Sequence, residues 1–129
     1  MSCADSIAKM LVDADFSSCF SKVAPSALAC AEPIVVLDGA YERVARMTEE
    51  ERGSVGVTVL AVRETAAAAA AAAVAAGRAL QRGDWEPCAD AGACRIVGLD
   101  VGPAAFTERD GSGRFVWGFE VACAVVREL

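Results

Sequence analysis

The stretch ETAAAAAAAAVAAGRAL, residues 64–80, contains eight consecutive alanines, then a valine and two more alanines. Alanine has the highest intrinsic helix propensity of the amino acids, so the run predicts an α-helix. Thr65 is a suitable N-cap residue at its start, and Gly83 is a suitable stop after its end. The sequence therefore predicts one continuous helix over residues 65–81.

The alanine run is too short to cross a membrane. Its uninterrupted apolar part, residues 66–76, contains 11 residues, whereas a membrane-spanning helix needs about 20. Arg63 and Glu64 precede this part, and Arg78 follows it. We therefore expect a helix of the folded domain and no membrane contact.

Small side chains let a helix approach a sheet closely, provided that the facing strand carries large side chains. Phe115, Trp117 and Phe119 in the last strand are the candidates for these large partners. A general bias toward alanine is the alternative explanation, since the segments AAGRAL and ACAEP show the same bias. Both explanations are compatible with a helix over this segment.

The N-terminal segment predicts a second helix. Its apolar residues recur at helical spacing, namely Ala4, Ile7, Ala8, Leu11 and Val12. The charged residues Asp5, Lys9 and Asp13 lie between them, which predicts an amphipathic helix over about residues 3–14. The same three charges interrupt any apolar core of a signal peptide, so we expect none.

Strand signals occupy most of the remaining chain. The predicted strands cover residues 19–23, 33–37, 55–63, 94–101 and 115–125. The strand VGVTVLAVR, residues 55–63, is apolar on both sides, which favours a position near the middle of a sheet. Asp38-Gly39 predicts a turn, residues 41–47 continue extended, and residues 48–54 (TEEERGS) predict a charged turn.

The order of the elements predicts the fold class. Asp110-Gly111 and Gly113 supply turn residues for a C-terminal β-hairpin over about residues 94–127. A helix, several strands, a long helix and a hairpin together predict a single α+β domain over residues 1–129. We expect four to five strands in a mainly antiparallel or mixed sheet, with both helices packed on one face.

Composition excludes several classes of protein. The chain is 55% hydrophobic and 23% charged, which is too apolar for a disordered protein. It carries 12 basic and 18 acidic residues, for a net charge of −6. Because binding to phosphates needs clustered lysine and arginine, this balance argues against general affinity for DNA or anionic membranes.

The six cysteines are expected to be free structural thiols, since a chain without an export signal is made in a reducing compartment. Only Cys88 and Cys94 lie close in sequence, so a disulfide between them is the first alternative. A zinc site ranks last, because the chain has no CxxC motif and no histidine.

No catalytic pattern is present in the sequence. Without histidine there is no Ser-His or Cys-His pair, and no glycine segment matches a nucleotide-binding motif. The consecutive Glu49, Glu50 and Glu51 end in Arg52, which is more typical of a solvated turn than of a cation site. We expect no enzyme activity, no metal and no cofactor.

Three stretches of the chain resemble the small tail terminator and tail completion proteins of long-tailed phages and prophages. These are PIVVLDGAYERVARM, GSVGVTVLAVRE and RIVGLDVGPAAFTERDGSGRFVWGFEVACAVVRE, which together span residues 33–128. The most specific part is the last: a strand RIVGLDV, an acidic-glycine turn, and an aromatic strand GRFVWGFEV that ends in RE. The six cysteines are not part of this resemblance.

The resemblance implies a structural protein in the α+β class that forms a ring, typically a hexamer. Such a ring caps the tail tube protein and offers a surface to the head–tail connector protein, while DNA passes through without specific binding. The expected location is the host cytoplasm during assembly and then the virion tail. The candidate pore and interface residues are Glu49, Glu50, Glu51, Arg52, Arg109, Asp110, Phe115 and Trp117.

Two other classes of function remain open from the sequence. A small cytoplasmic α+β domain could enclose a ligand between its sheet and its helices. An enzyme that uses its cysteines is the third possibility.

Overall fold

The computed structural model describes residues 3–14, 16, 19–20, 32–46, 48–82 and 94–128. Its elements in chain order are α1 (Cys3–Asp13), β1 (Cys19–Phe20), β2 (Ile34–Arg46), β3 (Glu50–Arg63), α2 (Ala66–Arg82), β4 (Cys94–Val101), β5 (Ala105–Arg109) and β6 (Phe115–Glu128). The predicted α+β fold class is confirmed, and both helices lie within one residue of their predicted bounds.

One sheet joins all six strands in the order β1-β2-β3-β6-β4, and β5 pairs with the same side of β6 as β4 does. Every pair is antiparallel except β1 with β2. The strands thus occupy five positions across a mainly antiparallel sheet. The apolar strand β3 lies near the middle, as its sequence predicted.

Both helices pack on the same face of the sheet. Alternate residues of a strand point to the same side, and the alternating apolar residues of β3 and β6 point toward the helices. The strands contribute Val55, Val57, Val59, Ala61, Phe119, Val121, Cys123 and Val125 to this buried cluster. The helices contribute Ile7, Leu11, Ala73, Ala76 and Leu80, among others.

The alanine-rich helix begins as predicted. The Thr65 Oγ1 accepts a hydrogen bond from the backbone N–H of Ala68 at 3.1 Å, which is an N-cap. Within the alanine run, Ala69 and Ala73 are fully buried, whereas Ala71 is exposed. The predicted stop at Gly83 lies outside the described residues.

Of the three aromatic residues expected beneath the helix, Phe119 takes that position. A Cβ at Gly77 would lie 3.8 Å from the Phe119 ring, so the helix approaches this side chain closely. Trp117 packs only partly against the core. The prediction was wrong for Phe115, whose ring instead lies 4.6 Å from the guanidinium carbon of Arg109.

The predicted turn at Asp38-Gly39 is wrong. Strand β2 continues through both residues, and its pairing with β3 shifts register between Asp38 and Tyr41. The bulge has a structural use, because the Asp38 Oδ1 accepts a hydrogen bond from the backbone N–H of Ala4 at 2.9 Å. Asp38 therefore satisfies one of the unpaired donors at the start of α1.

Three other sequence expectations need correction. Residues 50–54 are not a loop but the first part of β3. The connection after β4 contains β5, so the tight turn joins β5 to β6 rather than β4 to β6. Val12, predicted on the apolar face of α1, is 53% exposed.

Three cysteine side chains are described, and none of them forms a disulfide. Cys3 and Cys123 are buried in the core, where the hydrogen bond with Cys123 and burial raise the pKa of the Cys3 thiol. Burial also raises the pKa of Cys19, against the opposing effect of Arg63. The alternative of a disulfide between Cys88 and Cys94 concerns side chains outside the described part of the structure and stays a prediction.

The packing of α2 predicts which alanines tolerate a larger side chain. Ala69→Leu or Ala73→Leu should lower the free energy of unfolding by about 1–3 kcal/mol, because the added atoms overpack a filled core. Urea denaturation measures the effect. The exposed Ala71→Leu is the matched control and should change stability by no more than about 0.5 kcal/mol. Equal effects at all three positions would contradict the packing.

The core thiols predict a loss of stability in alkali. Above the ordinary thiol pKa of 9.0, the unfolded chain releases the Cys3 proton while the folded chain keeps it. The folded state then binds more protons, so the free energy of unfolding falls as the pH rises. Urea denaturation from pH 8 to about pH 10 should show this fall.

A Cys3→Ala variant should lose stability less steeply over the same pH range. Val12→Ala, at an exposed position of the same helix, is the control and should keep the full slope. Identical slopes for both variants would show that the Cys3 thiol does not cause the effect.

Candidate functional site

The predicted pore and interface residues form two clusters at opposite ends of the sheet. Glu50 pairs with Glu128 at one end of the β3–β6 ladder, and Arg63 pairs with Phe115 at the other. Strand β3 has 14 residues, so the two ends lie about 40 Å apart at the usual rise of a strand. Residues 49–52 and residues 109–117 therefore cannot share one small site.

The first cluster belongs to the hairpin formed by residues 41–46 and 48–54, which we call the β2–β3 arm. Its β2 half is exposed from Glu42 to Arg46, and Val44 is 73% exposed. On the β3 side the arm pairs with β6. Since β1 pairs only with Ile34 and Val35, the outer edge of the arm has no partner strand among the described residues.

The arm is braced from within by Tyr41. The Tyr41 hydroxyl donates a hydrogen bond to Glu51 Oε1 at 2.8 Å, and the Arg127 guanidinium carbon lies 5.8 Å from the centre of the tyrosine ring. The ring occupies the space above Gly53, where any Cβ would collide with it. Gly53 is thus required for this contact, which links β2, β3 and β6 at the base of the arm.

The three consecutive glutamates do not converge on one point. Glu50 and Glu51 project from opposite faces of β3, because successive strand residues alternate. Glu50 Oε1 lies 3.9 Å from Arg52 Nη2, a long and partly exposed pair that contributes little to stability. The described residues contain no group of three or more cysteine, aspartate or glutamate side chains that could hold a metal ion.

Asp110 organises the β5–β6 turn in the second cluster. Its Oδ1 accepts hydrogen bonds from the backbone N–H groups of Ser112 (3.0 Å) and Arg114 (2.8 Å). Its Oδ2 accepts a 2.7 Å hydrogen bond from Arg114 Nε. Desolvation raises the pKa of Asp110, but the bonds from Arg114 and Ser112 outweigh it and lower the pKa. Gly113 completes the turn with a φ of 82°, a left-handed value that favours glycine.

Arg109 and Phe115 also serve this turn. Arg109 Nη2 donates a 3.0 Å hydrogen bond to the Gly113 carbonyl, and its guanidinium lies over the Phe115 ring. Both side chains therefore have local structural contacts in addition to the interface role that the resemblance implied.

An aromatic pair beside the turn escaped the sequence analysis. The rings of Phe106 and Trp117 meet edge to face with centroids 6.4 Å apart, and Phe106 is 48% exposed. The buried Trp117 Nε1 has no hydrogen-bond partner in the described structure. No local signal marks Phe106, because AFTER, residues 105–109, has no apolar alternation and is exposed throughout.

Two hollows could accept a ligand. A groove of about 520 Å³ lies on the face of the sheet away from the helices, between Thr58, Leu60, Pro103, Thr107 and Glu120. A cavity of about 190 Å³ lies between α2 and the β4–β5 connection, beside Gly77, Arg78 and Phe119. The groove has the polar side chains of Thr58, Thr107 and Glu120 among its lining residues, and the cavity has those of Arg78 and Gln81.

None of the described helices has the length and apolar character needed to span a membrane. No protein-family model matches the chain. No curated protein matches it either.

Proposed function

We propose that this protein is a structural tail protein of a long-tailed phage or prophage: a tail terminator that forms a ring, caps the tail tube and joins it to the head connector. The proposal combines the resemblance over residues 33–128 with one structural observation. That observation is the braced but exposed β2–β3 arm.

The arm has the properties of an assembly element. A long unpaired strand edge is a liability for a monomer, because it can pair with other chains. Here the edge belongs to a hairpin whose base is held by Tyr41 and Gly53, so it is presented in a defined orientation. A neighbouring copy that packs against the arm would cover this edge and close a ring.

The charge of the arm suits a channel through which DNA passes. The arm carries four acidic and three basic residues (Glu42, Glu49, Glu50, Glu51, Arg43, Arg46 and Arg52). Because tight DNA binding requires an excess of clustered basic groups, such a surface would not hold DNA. The pore position of Glu49, Glu50 and Glu51 is part of this proposal.

The second candidate is a small ligand-binding domain, favoured by the groove of about 520 Å³. That volume falls within the usual range for small-molecule sites. The open shape of the groove and its few polar groups favour the structural role instead.

Deleting the gene from its phage or prophage tests the proposal directly. Induced particles, imaged by electron microscopy, should carry tails of uncontrolled length or finished tails that lack heads, because the cap and the joining surface are missing. Normal infectious particles would contradict the assignment.

A point substitution in the arm tests the observation that carries the proposal. Val44→Glu should leave the melting temperature unchanged, since Val44 is exposed, but should lower complementation of the deletion by at least about tenfold, the effect of 1.4 kcal/mol of lost contact energy. Val12→Glu, at an exposed position on α1, is the matched control and should complement fully. Full complementation by Val44→Glu would show that the arm makes no essential contact.

A further inference from the structure

The outer face of α2 is unusual for an exposed helix. We define this face by six exposed residues, which are Ala67, Ala71, Val74, Ala75, Arg78 and Arg82, and the exposed Ala66, Ala68 and Gln81 flank it. Charged side chains occur only at its C-terminal end, whereas a solvent-facing helix ordinarily carries polar groups along its length. The face is therefore a strip of methyl groups that ends in two arginines.

The opposite side of the domain carries a second uncovered surface. We define this open sheet face by Gly56, Thr58, Gly98, Asp100, Glu120, Ala122 and Ala124, whose strand positions alternate with the residues that face the helices. No described helix lies on it, and Gly56, Ala122 and Ala124 are exposed. Its centre is flat because these residues have little or no side chain.

The charged groups of the two faces are opposite in sign and similar in spacing. Arg78 and Arg82 are one helical turn apart, which separates their Cβ atoms by about 6 Å. Asp100 pairs with Ala122 across the β4–β6 ladder, so Glu120 is its diagonal neighbour at about 7 Å. In the part of the chain that the structure describes, none of these four side chains has an ion pair or hydrogen bond of its own.

We infer that copies of this chain associate head to tail, with the outer face of α2 of one copy packed on the open sheet face of the next, so that Arg78 and Arg82 meet Asp100 and Glu120. The inference deepens the proposed function and rests on it, because it names a second contact between neighbouring copies of the ring, in addition to the contact made by the β2–β3 arm.

The placement of the two faces determines the type of assembly. Because they lie on opposite sides of the domain, one copy cannot use both with a single partner. The contact is heterologous and repeats from copy to copy, and it closes a ring where each copy is also rotated relative to the one before it. The alanines of α2 would face the glycines and alanines of the sheet, so the two backbones could approach closely. This contact would give the exposed alanines of α2 a role that core packing does not give them.

The contact is weak when it acts alone. A helix of 17 residues is about 25 Å long and 10 Å wide, which gives a footprint of about 250 Å². A stable interface buries about 800 Å² per partner. The association should therefore need high concentration in free solution, and it should weaken as salt screens its charges.

Sedimentation velocity of the purified full chain tests the inference, at low salt and at concentrations up to about 1 mM, the weak end of specific binding. The average mass of the wild-type protein should rise with concentration and fall again on adding salt. Two charge-reversal variants, Arg78→Glu with Arg82→Glu and Asp100→Arg with Glu120→Arg, should each associate at least tenfold more weakly. Lys9→Glu, at an exposed position of α1, is the control and should behave as wild type.

Recombining the reversals identifies the pairing. One chain that carries all four substitutions should recover association, and so should an equimolar mixture of the two variants, because each acidic helix then meets a basic sheet. The inference is overturned by a wild-type protein that stays monomeric at the highest concentration. It is also overturned by variants that associate like wild type, or by a four-fold substituted chain that fails to recover.

A failure of the proposed contact between copies can be told apart from a failure of the proposed tail function. If gene deletion causes uncontrolled or headless tails and the reversal variants complement it fully, the protein is a tail protein but uses another contact. If gene deletion leaves normal particles, the function is wrong, and the sedimentation result still decides whether the two faces bind each other.

Discussion

The structure depends on one long strand pair. Strands β3 and β6 remain in register from Glu50 opposite Glu128 to Arg63 opposite Phe115, without a bulge. Because side chains alternate along a strand, this register decides at once which residues face the helices. A slip by one residue would turn Val57 and Val121 to the outside and leave α2 without an apolar surface. Strand β2 is added on one side of the pair, and β4 and β5 on the other.

The predictable parts of the fold are those in which a sequence pattern repeats over many neighbouring residues. The alternation of valines in β3 and of large apolar residues in β6 persists for many residues, and the alanine run can hardly be anything but a helix. The bulge at Asp38 was not predictable, because its reason is a hydrogen bond to Ala4, 34 residues earlier in the chain. Strand β5 was missed because five exposed residues between two glycine-containing turns show no apolar pattern; pairing with β6 makes them a strand.

The candidate residues were harder to predict than the fold. The chemistry of the glutamates and arginines suggested two charged turns, but Glu51 serves as acceptor for Tyr41 and Arg109 bonds to Gly113. Such contacts depend on where each strand begins, which decides the side to which a residue points. The role of Asp110 follows more directly from the sequence, since Asp-Gly-Ser-Gly supplies both a side-chain acceptor and the glycine that a tight turn needs. The difference between the two faces of the sheet becomes visible only when the strands are paired.

The break between β4 and β5 limits the addition of further strands at this edge of the sheet. Gly102 still donates a 2.7 Å hydrogen bond to the Glu120 carbonyl, but Pro103 follows it and has no backbone donor. The outer margin of the sheet on this side is thus divided into two short segments instead of one long template for further strands. Fibril-like growth by strand addition is hindered there. In a chain so rich in valine and alanine, this margin is therefore a poor template for further strands, in contrast to the outer edge of the β2–β3 arm, which is unpaired in the described structure.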